Sequence, residues 1–281
     1  MAIFLICSYF SWSNLSNRNG LAVGGGWLAE IGFSDFAGST LVHSTGGAAA
    51  LAGIILLGAR SGRFDNKGQP KALQPFAASS IPLVTIGVFI LWLGWFGFNG
   101  GSQLALGTFD DAVAISTIFI NTNLAACGGV LAAGVITRLM FGKTDVIQML
   151  NGAIGGLVAI TAEPLAPSPF AAILIGAVGG LIVVFGTKLL FNFKLDDVVG
   201  AIPAHLFAGI WGTLAVPLTN TDANFSAQLI GVLSINIFVF VVSYIVWSIM
   251  KGLFGIRLSK EAEIKGTDVT ETGVIAYAIR D

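Results

Sequence analysis

Two histidines, His43 and His205, are the only imidazoles in this 281-residue chain, and both fall inside long apolar stretches. Each lies eight residues after an aspartate, in Asp35-Phe-Ala-Gly-Ser-Thr-Leu-Val-His43 and in Asp197-Val-Val-Gly-Ala-Ile-Pro-Ala-His205. An ionisable side chain held in hydrocarbon is costly, so such a pair is first read as a working site. Eight residues of regular α-helix rise about 12 Å, close to half of the roughly 30 Å hydrocarbon layer. Both imidazoles are therefore expected near the midplane. The bland reading, an inter-helix hydrogen bond at each histidine, is weakened by the match between the two segments. Without a carboxylate or thiolate at close helical spacing, the pair makes a poor metal site.

The elements that must hold these rings are membrane helices. Hydrophobic residues make up 55% of the chain and charged residues only 10%, against about 25% charged in soluble domains; the mean hydropathy is +0.85. Apolar runs predict helices over 36–57, 81–106, 112–136, 146–161, 170–190, 198–218 and 227–250, with a shorter apolar piece at 2–12. Gly128-Gly129, Gly155-Gly156 and Gly179-Gly180 let helix backbones approach closely where no hydrophobic force drives association. The fold class is accordingly all-α, a polytopic membrane helix bundle.

Basic residues divide between alternate loops: Arg60, Arg63, Lys67 and Lys71, then Arg138 and Lys143, then Lys188 and Lys194, then Lys251, Arg257 and Lys260. The opposite loops carry Glu30, Asp35, Asp110, Asp111, Glu163 and Asp222, with Arg18 as their basic residue. By the positive-inside rule the basic ends are cytoplasmic. This predicts a multi-pass protein of the plasma (cell inner) membrane, a transmembrane domain over 1–254 and a cytoplasmic tail over 255–281. No cleavable signal peptide is evident in the first ten residues. Cys7 and Cys127 lie in apolar stretches and read as small core residues. A net charge of −1 offers no basic field for nucleic acid.

Asp35 starts its span at an outer end and Asp197 at an inner one, so the two patterns run in opposite directions, as in an inverted-topology repeat with its site at the repeat interface. Small residues follow each ring, Gly46-Gly47 after the first and Ala208-Gly209 and Gly212 after the second, leaving room for a narrow pore. Buried imidazoles favour the neutral form. Two neutral rings sharing a hydrogen bond can offer a lone pair to a proton of ammonium or an N–H to the nitrogen of ammonia. A bare cation is expensive in such a passage, so removing the proton first is the cheaper route.

Four stretches together resemble the ammonium transporter family (Amt, methylammonium permease and Rh): Gly25-Gly26-Trp27-Leu28-Ala29, the Asp35 to His43 segment, Trp92-Leu-Gly-Trp-Phe-Gly-Phe-Asn-Gly-Gly-Ser102, and His205-Leu-Phe-Ala-Gly-Ile-Trp-Gly212. The resemblance implies a homotrimer of eleven-helix subunits, each made of two inverted five-helix halves and a final long helix, with a pore through each subunit. It implies that His43 and His205 are the paired pore histidines, that Phe98 is one of two stacked phenylalanines at the outer gate, and that Ser102 belongs to the outer recruitment site. Asp35 matches a buried aspartate beside that site, and Thr161 a polar residue close to the outer pore. The substrate implied is ammonium, ammonia or methylammonium, no cofactor is implied, and a PII-type signalling protein is the implied cytoplasmic partner.

Trp92, Trp95 and Trp211 read as packing or interface aromatics, and Ser102, Thr161 and Asp35 can also serve as helix caps. Val23 stands where the family usually places a tryptophan before the glycine run. Against the family pattern roughly the first three helices are missing, and 2–12 resembles a remnant of the fourth. No lysine lies mid-span for a retinal Schiff base, no nucleophile stands beside a base, and no phosphate loop is present, so an enzyme is not expected. The alternative readings are an ammonium sensor or regulatory scaffold that signals through the tail and the basic loops, and a truncated fragment that does not conduct.

Overall fold

A computed structural model describes residues 26–64, 76 and 78–276. The expectations for Cys7, Arg18, Val23 and the apolar piece at 2–12 lie outside those residues. Eight helical elements matter here: α1 (Trp27–Glu30), α2 (Ser39–Leu57), α3 (Ile81–Gly101), α4 (Phe109–Phe141), α5 (Val146–Ile160), α6 (Pro169–Asn192), α7 (Ile202–Leu218) and α8 (Phe225–Leu253), followed by a short α9 (Lys260–Lys265). Five of them, α2, α3, α4, α6 and α8, are long and apolar enough to cross a membrane, while α5 and α7 are shorter apolar helices.

Local chemistry sets the boundaries. Ser80 and Ser168 each cap the N–H three residues on and are followed by a proline in the first turn, while Thr108 and Asp111 form a reciprocal capping box; these groups satisfy N–H donors that the first helical turn leaves free. The Thr108 cap starts α4 at Phe109, and it runs on to Phe141, beyond the expected 136; α3 ends at Gly101 rather than near 106, with Leu104 at a positive φ of 60° just beyond it.

α4, α5 and α6 form the most extensively packed block. Glycine makes it possible: a Cβ at Gly129 would strike the Gly152 carbonyl, and one at Gly176 the Ala125 carbonyl. α3 lies against this block with little of its surface covered, and Phe89, Ile90 and Leu93 are each more than half exposed. Such an outward apolar face suits lipid.

One end of the bundle gathers the charges. The Asp196 carboxylate takes the Arg60 side chain in a two-pronged pair at 2.7 and 2.8 Å and lies 3.3 Å from Arg63 Nε. Burial pushes its carboxyl upward, but the hydrogen bonds and charge of Arg60, with Arg63 behind, prevail and hold it below the usual carboxylate range. Glu263 of α9 accepts from the Ser61 backbone N–H at 2.7 Å and pairs with Arg257 at 2.9 Å. At the other end Asn220 donates to Glu163 at 2.7 Å. α2 therefore runs toward the charged end and α7 away from it, which makes the two histidine helices antiparallel.

Candidate functional site

Neither histidine sits on a regular α-helix. Ser39–Ser44 and Ile202–Phe207 are π-helical turns that continue as α-helix from Thr45 and Ala208. The 12 Å rise expected from Asp to His does not apply to such turns, and the expected start of the first helix at 36 moves to Ser39. A π turn widens the helix and re-aims its side chains, and it recurs at functional sites.

The aspartates explain where these turns begin. Asp35 Oδ1 accepts the N–H groups of Gly38 and Ser39, and Oδ2 those of Thr40 and Leu41, at 2.8 to 3.1 Å. Asp197 Oδ1 accepts from Val199, Gly200 and Ala201, and Oδ2 from Ile202 at 2.8 Å. The glycine three residues after each aspartate has a positive φ, 115° at Gly38 and 77° at Gly200, which only glycine adopts without strain. Both carboxylates are thus spent on folding the chain back into the first helical turn.

A second reciprocal device brings the two turns together. Gly47, four residues after His43, packs on Leu206, and a Cβ there would come within 2.6 Å of the Leu206 N and Cβ. Gly209, four residues after His205, packs on the Ser39 carbonyl and on Ser44. Each glycine thereby touches the residue that follows the other helix's histidine. Thr40 and Thr213 hydroxyls close the same seam at 2.6 Å.

The outcome is an imidazole pair with Nδ1 to Nδ1 at 3.2 Å and ring centroids 5.3 Å apart. One Nδ1 must carry a hydrogen and the other a lone pair, so the neutral pair holds its rings in opposite tautomers. His43 Nε2 is buried with no hydrogen-bond partner among the described residues. A partly open cavity of about 270 Å³ adjoins the rings, lined by Val42, His43, Gly46, Gly47, Ala50, Ala201 and His205. Its wall is apolar apart from the imidazoles.

The other sequence-predicted residues fall around His43. Phe98 is partly exposed and tilts over the ring at 5.3 Å. Ser102, which follows the last residue of α3, donates to the Phe98 carbonyl at 2.8 Å. Asp35 is buried at the start of the turn. Thr161 is wholly buried, and its hydroxyl accepts the Trp95 indole N–H at 2.9 Å and lies 2.7 Å from the Leu157 carbonyl. Trp95 stacks on His43 with centroids 4.7 Å apart and planes 14° off parallel. That contact, with Asn99 and Thr122 behind it, escaped the sequence reading, which took Trp95 for packing; its three-residue spacing from Phe98 on a shared helix face was the available signal. Among the described residues no cluster of three or more His, Cys, Asp or Glu is placed to hold a metal.

The sequence model of the Ammonium Transporter Family matches residues 3–277. The chain belongs to the ammonium transporter family. Among its relatives in that family are a Synechocystis sp. protein whose name also carries ammonium transport, 44% identical over 256 residues, and ammonium transporter Amt2 of Archaeoglobus fulgidus, 39% identical over 284. These alignments cover 89% and 90% of this chain but 57% and 59% of the relatives, so the chain spans little more than half their length. A solved structure described as a sensor Amt protein superposes with a TM-score of 0.87 at 31% identity, covering 96% of this chain and 67% of that one. Candida albicans Mep2 gives 0.80 at 28% identity, covering 96% and 60%. The all-helical fold is thus that of ammonium transporters, and the protein is an integral membrane protein.

Proposed function

We propose that this chain forms part of a membrane passage that conducts ammonium as ammonia and a separately handled proton. The observation that carries the reading is the imidazole pair, 3.2 Å apart, contributed by two antiparallel helices and flanked by an apolar cavity. Ammonium gives up one proton to an imidazole lone pair, leaving ammonia and imidazolium, ammonia moves on by exchanging N–H···N hydrogen bonds, and beyond the rings ammonia regains one proton while the imidazolium releases one, so charge and atoms balance. Phe98 restricts access to the pair, while Ser102, Asp35 and Thr161 shape the recruiting side. The family match and the transporter names of its relatives support ammonium or methylammonium as substrate and transport rather than catalysis.

The same reading puts the protein in the plasma membrane with the charged end and the 255–281 tail in the cytoplasm, as a homotrimer open to a PII-type partner. A second reading, an ammonium sensor, draws support from the superposition on the sensor Amt protein and from the tail bound to the Ser61 loop through Glu263. Uptake of labelled methylammonium into vesicles containing the chain separates them. Uptake that His43→Ala removes supports transport; ammonium binding without uptake, in a chain extended to the length of its relatives, overturns it in favour of sensing.

A further inference from the structure

We propose that the indole face of Trp95 stabilises the His43–His205 pair when it carries a proton, and that Thr161, Asn99 and Thr122 exist to hold that face flat on His43. The inference rests on the transport reading only for the source of the proton. In that step one N–H bond of ammonium breaks and one N–H bond forms at an imidazole lone pair. The products are ammonia and imidazolium, and the total charge is unchanged.

The geometry is that of a cation over an aromatic face. A positive group within about 6 Å of an indole centroid is attracted by the ring's negative face, and more strongly where water is excluded. His43 lies 4.7 Å away and nearly parallel, and Trp95 is only 6% exposed. For a neutral imidazole the stack offers little beyond packing, so the benefit falls on the protonated form. The ionisable groups around the pair are otherwise few. His205 lies across the hydrogen bond, and Asp35 and Asp197 stand at the starts of the two turns. α3 and α5 contain no Asp, Glu, Lys, Arg or His, and α8 contributes only Lys251, at its far end. With both aspartates committed to backbone N–H groups, the aromatic faces in contact with His43 remain, and of these the indole is nearer and more nearly parallel than Phe98, whose ring is tilted by 44° at 5.3 Å.

The anchoring distinguishes this role from space filling. The indole N–H donates to Thr161 Oγ1 at 2.9 Å, that oxygen lies 3.2 Å from Asn99 Oδ1, and Asn99 Nδ2 donates to Thr122 Oγ1 at 2.9 Å. Thr161, Asn99 and Thr122 are fully buried. This relay crosses from α3 to the end of α5 and to α4, and fixes the ring's rotation as well as its position. Phe98 packs beside the indole, its ring tilted by 49° with centroids 5.9 Å apart.

Because the chain has only two histidines, ¹⁵N-histidine spectra in lipid bilayers read the protonation of this pair directly. Tryptophan analogues with one, two and three fluorines, inserted at position 95 alone, keep the ring's shape and its N–H while progressively weakening the face. At the pH where the native pair is half protonated, the ratio of protonated to neutral pair is expected to fall with each fluorine, by about threefold or more across the series. Thr161→Val, which frees the indole to rotate, is expected to give a smaller fall. A ratio that does not change along the series overturns the proposal, as does a native pair that takes no proton down to about pH 3.5. Neither readout needs flux. A fluorine effect without His43-dependent uptake would remove the transport reading and leave this one; the converse would do the reverse.

Discussion

The two histidine segments share a backbone and differ in surroundings. Each has an aspartate accepting successive N–H groups, a positive-φ glycine three residues on, a π turn around the imidazole, and a glycine four residues after it that packs on the opposite turn. Around that common frame Asp35 and His43 are buried and His43 is walled by Trp95 and Phe98, whereas His205 and Asp197 are only half-buried. The residue before Asp35 is Ser34, held by Gln228 through two neutral hydrogen bonds; the residue before Asp197 is Asp196, locked to Arg60. Backbone symmetry thus brings the rings together, and unequal environments give each side its own electrostatics.

Replacing either ring should break the comparison most severely. His43→Ala is expected to lower ammonium-selective uptake at least about tenfold, because the proposed passage then keeps His205 alone and loses the paired ring with which it shares its hydrogen bond; undiminished selective uptake of methylammonium would refute the assigned role. The aspartates come next. Asp35→Ala strands four buried N–H groups at about 1–3 kcal/mol each before relaxation, while at half-buried Asp197 water can replace part of the loss. Thermal unfolding in detergent should therefore show a clearly larger drop for Asp35→Ala than for Asp197→Ala, and equal drops would mean the difference in burial carries no weight.

The glycine seam is expected to matter less, yet symmetrically. Gly47→Ala and Gly209→Ala should each cost about 1–3 kcal/mol through overpacking and lengthen the contact between the imidazoles, visible as a weakened coupling between their nitrogens. Gly46→Ala, whose added Cβ would meet nothing within 4 Å, is the control and should be neutral.

Acid should separate the segments at their flanks. The Asp196 carboxyl is held below its ordinary range, so its pairing with Arg60 is fully present above the unfolded carboxylate value of about 4 and is lost only as pH falls through the lower folded value. Accessibility of the Arg60 loop to protease should accordingly stay flat from about pH 8 to 5 and rise in stronger acid; a rise near pH 6 would contradict the assignment. Smallest of all is Pro203→Ala. Pro203 occupies the position of Leu41, whose N–H is the fourth bonded to Asp35, and proline has none to give. Restoring that donor should change stability by no more than about 1 kcal/mol.

Much of this was legible in the residues. The paired Asp-x₇-His pattern, the alternating loop charges and the small residues after each imidazole predicted antiparallel apolar helices with the rings in register, because side-chain hydrophobicity and charge sign act locally along the chain. Helix ends near Gly101 and Phe109 were missed where backbone conformation at Leu104 and the Thr108 cap, not hydropathy, set the boundaries. The π turns were equally hidden, since they arise from where Asp35 and Asp197 bind backbone N–H groups in space.

By itself, then, the sequence determined that the protein lives in lipid, that it is helical, and that two imidazoles are its candidate working groups. What only the tertiary structure decided is which way those rings face and what touches them: the Nδ1 to Nδ1 contact, the Trp95 stack and the Thr161 anchor. The reason is range. Burial preference is a property of each segment, whereas a 3 Å contact between residues 162 positions apart depends on the glycines and caps of several helices fitting at once.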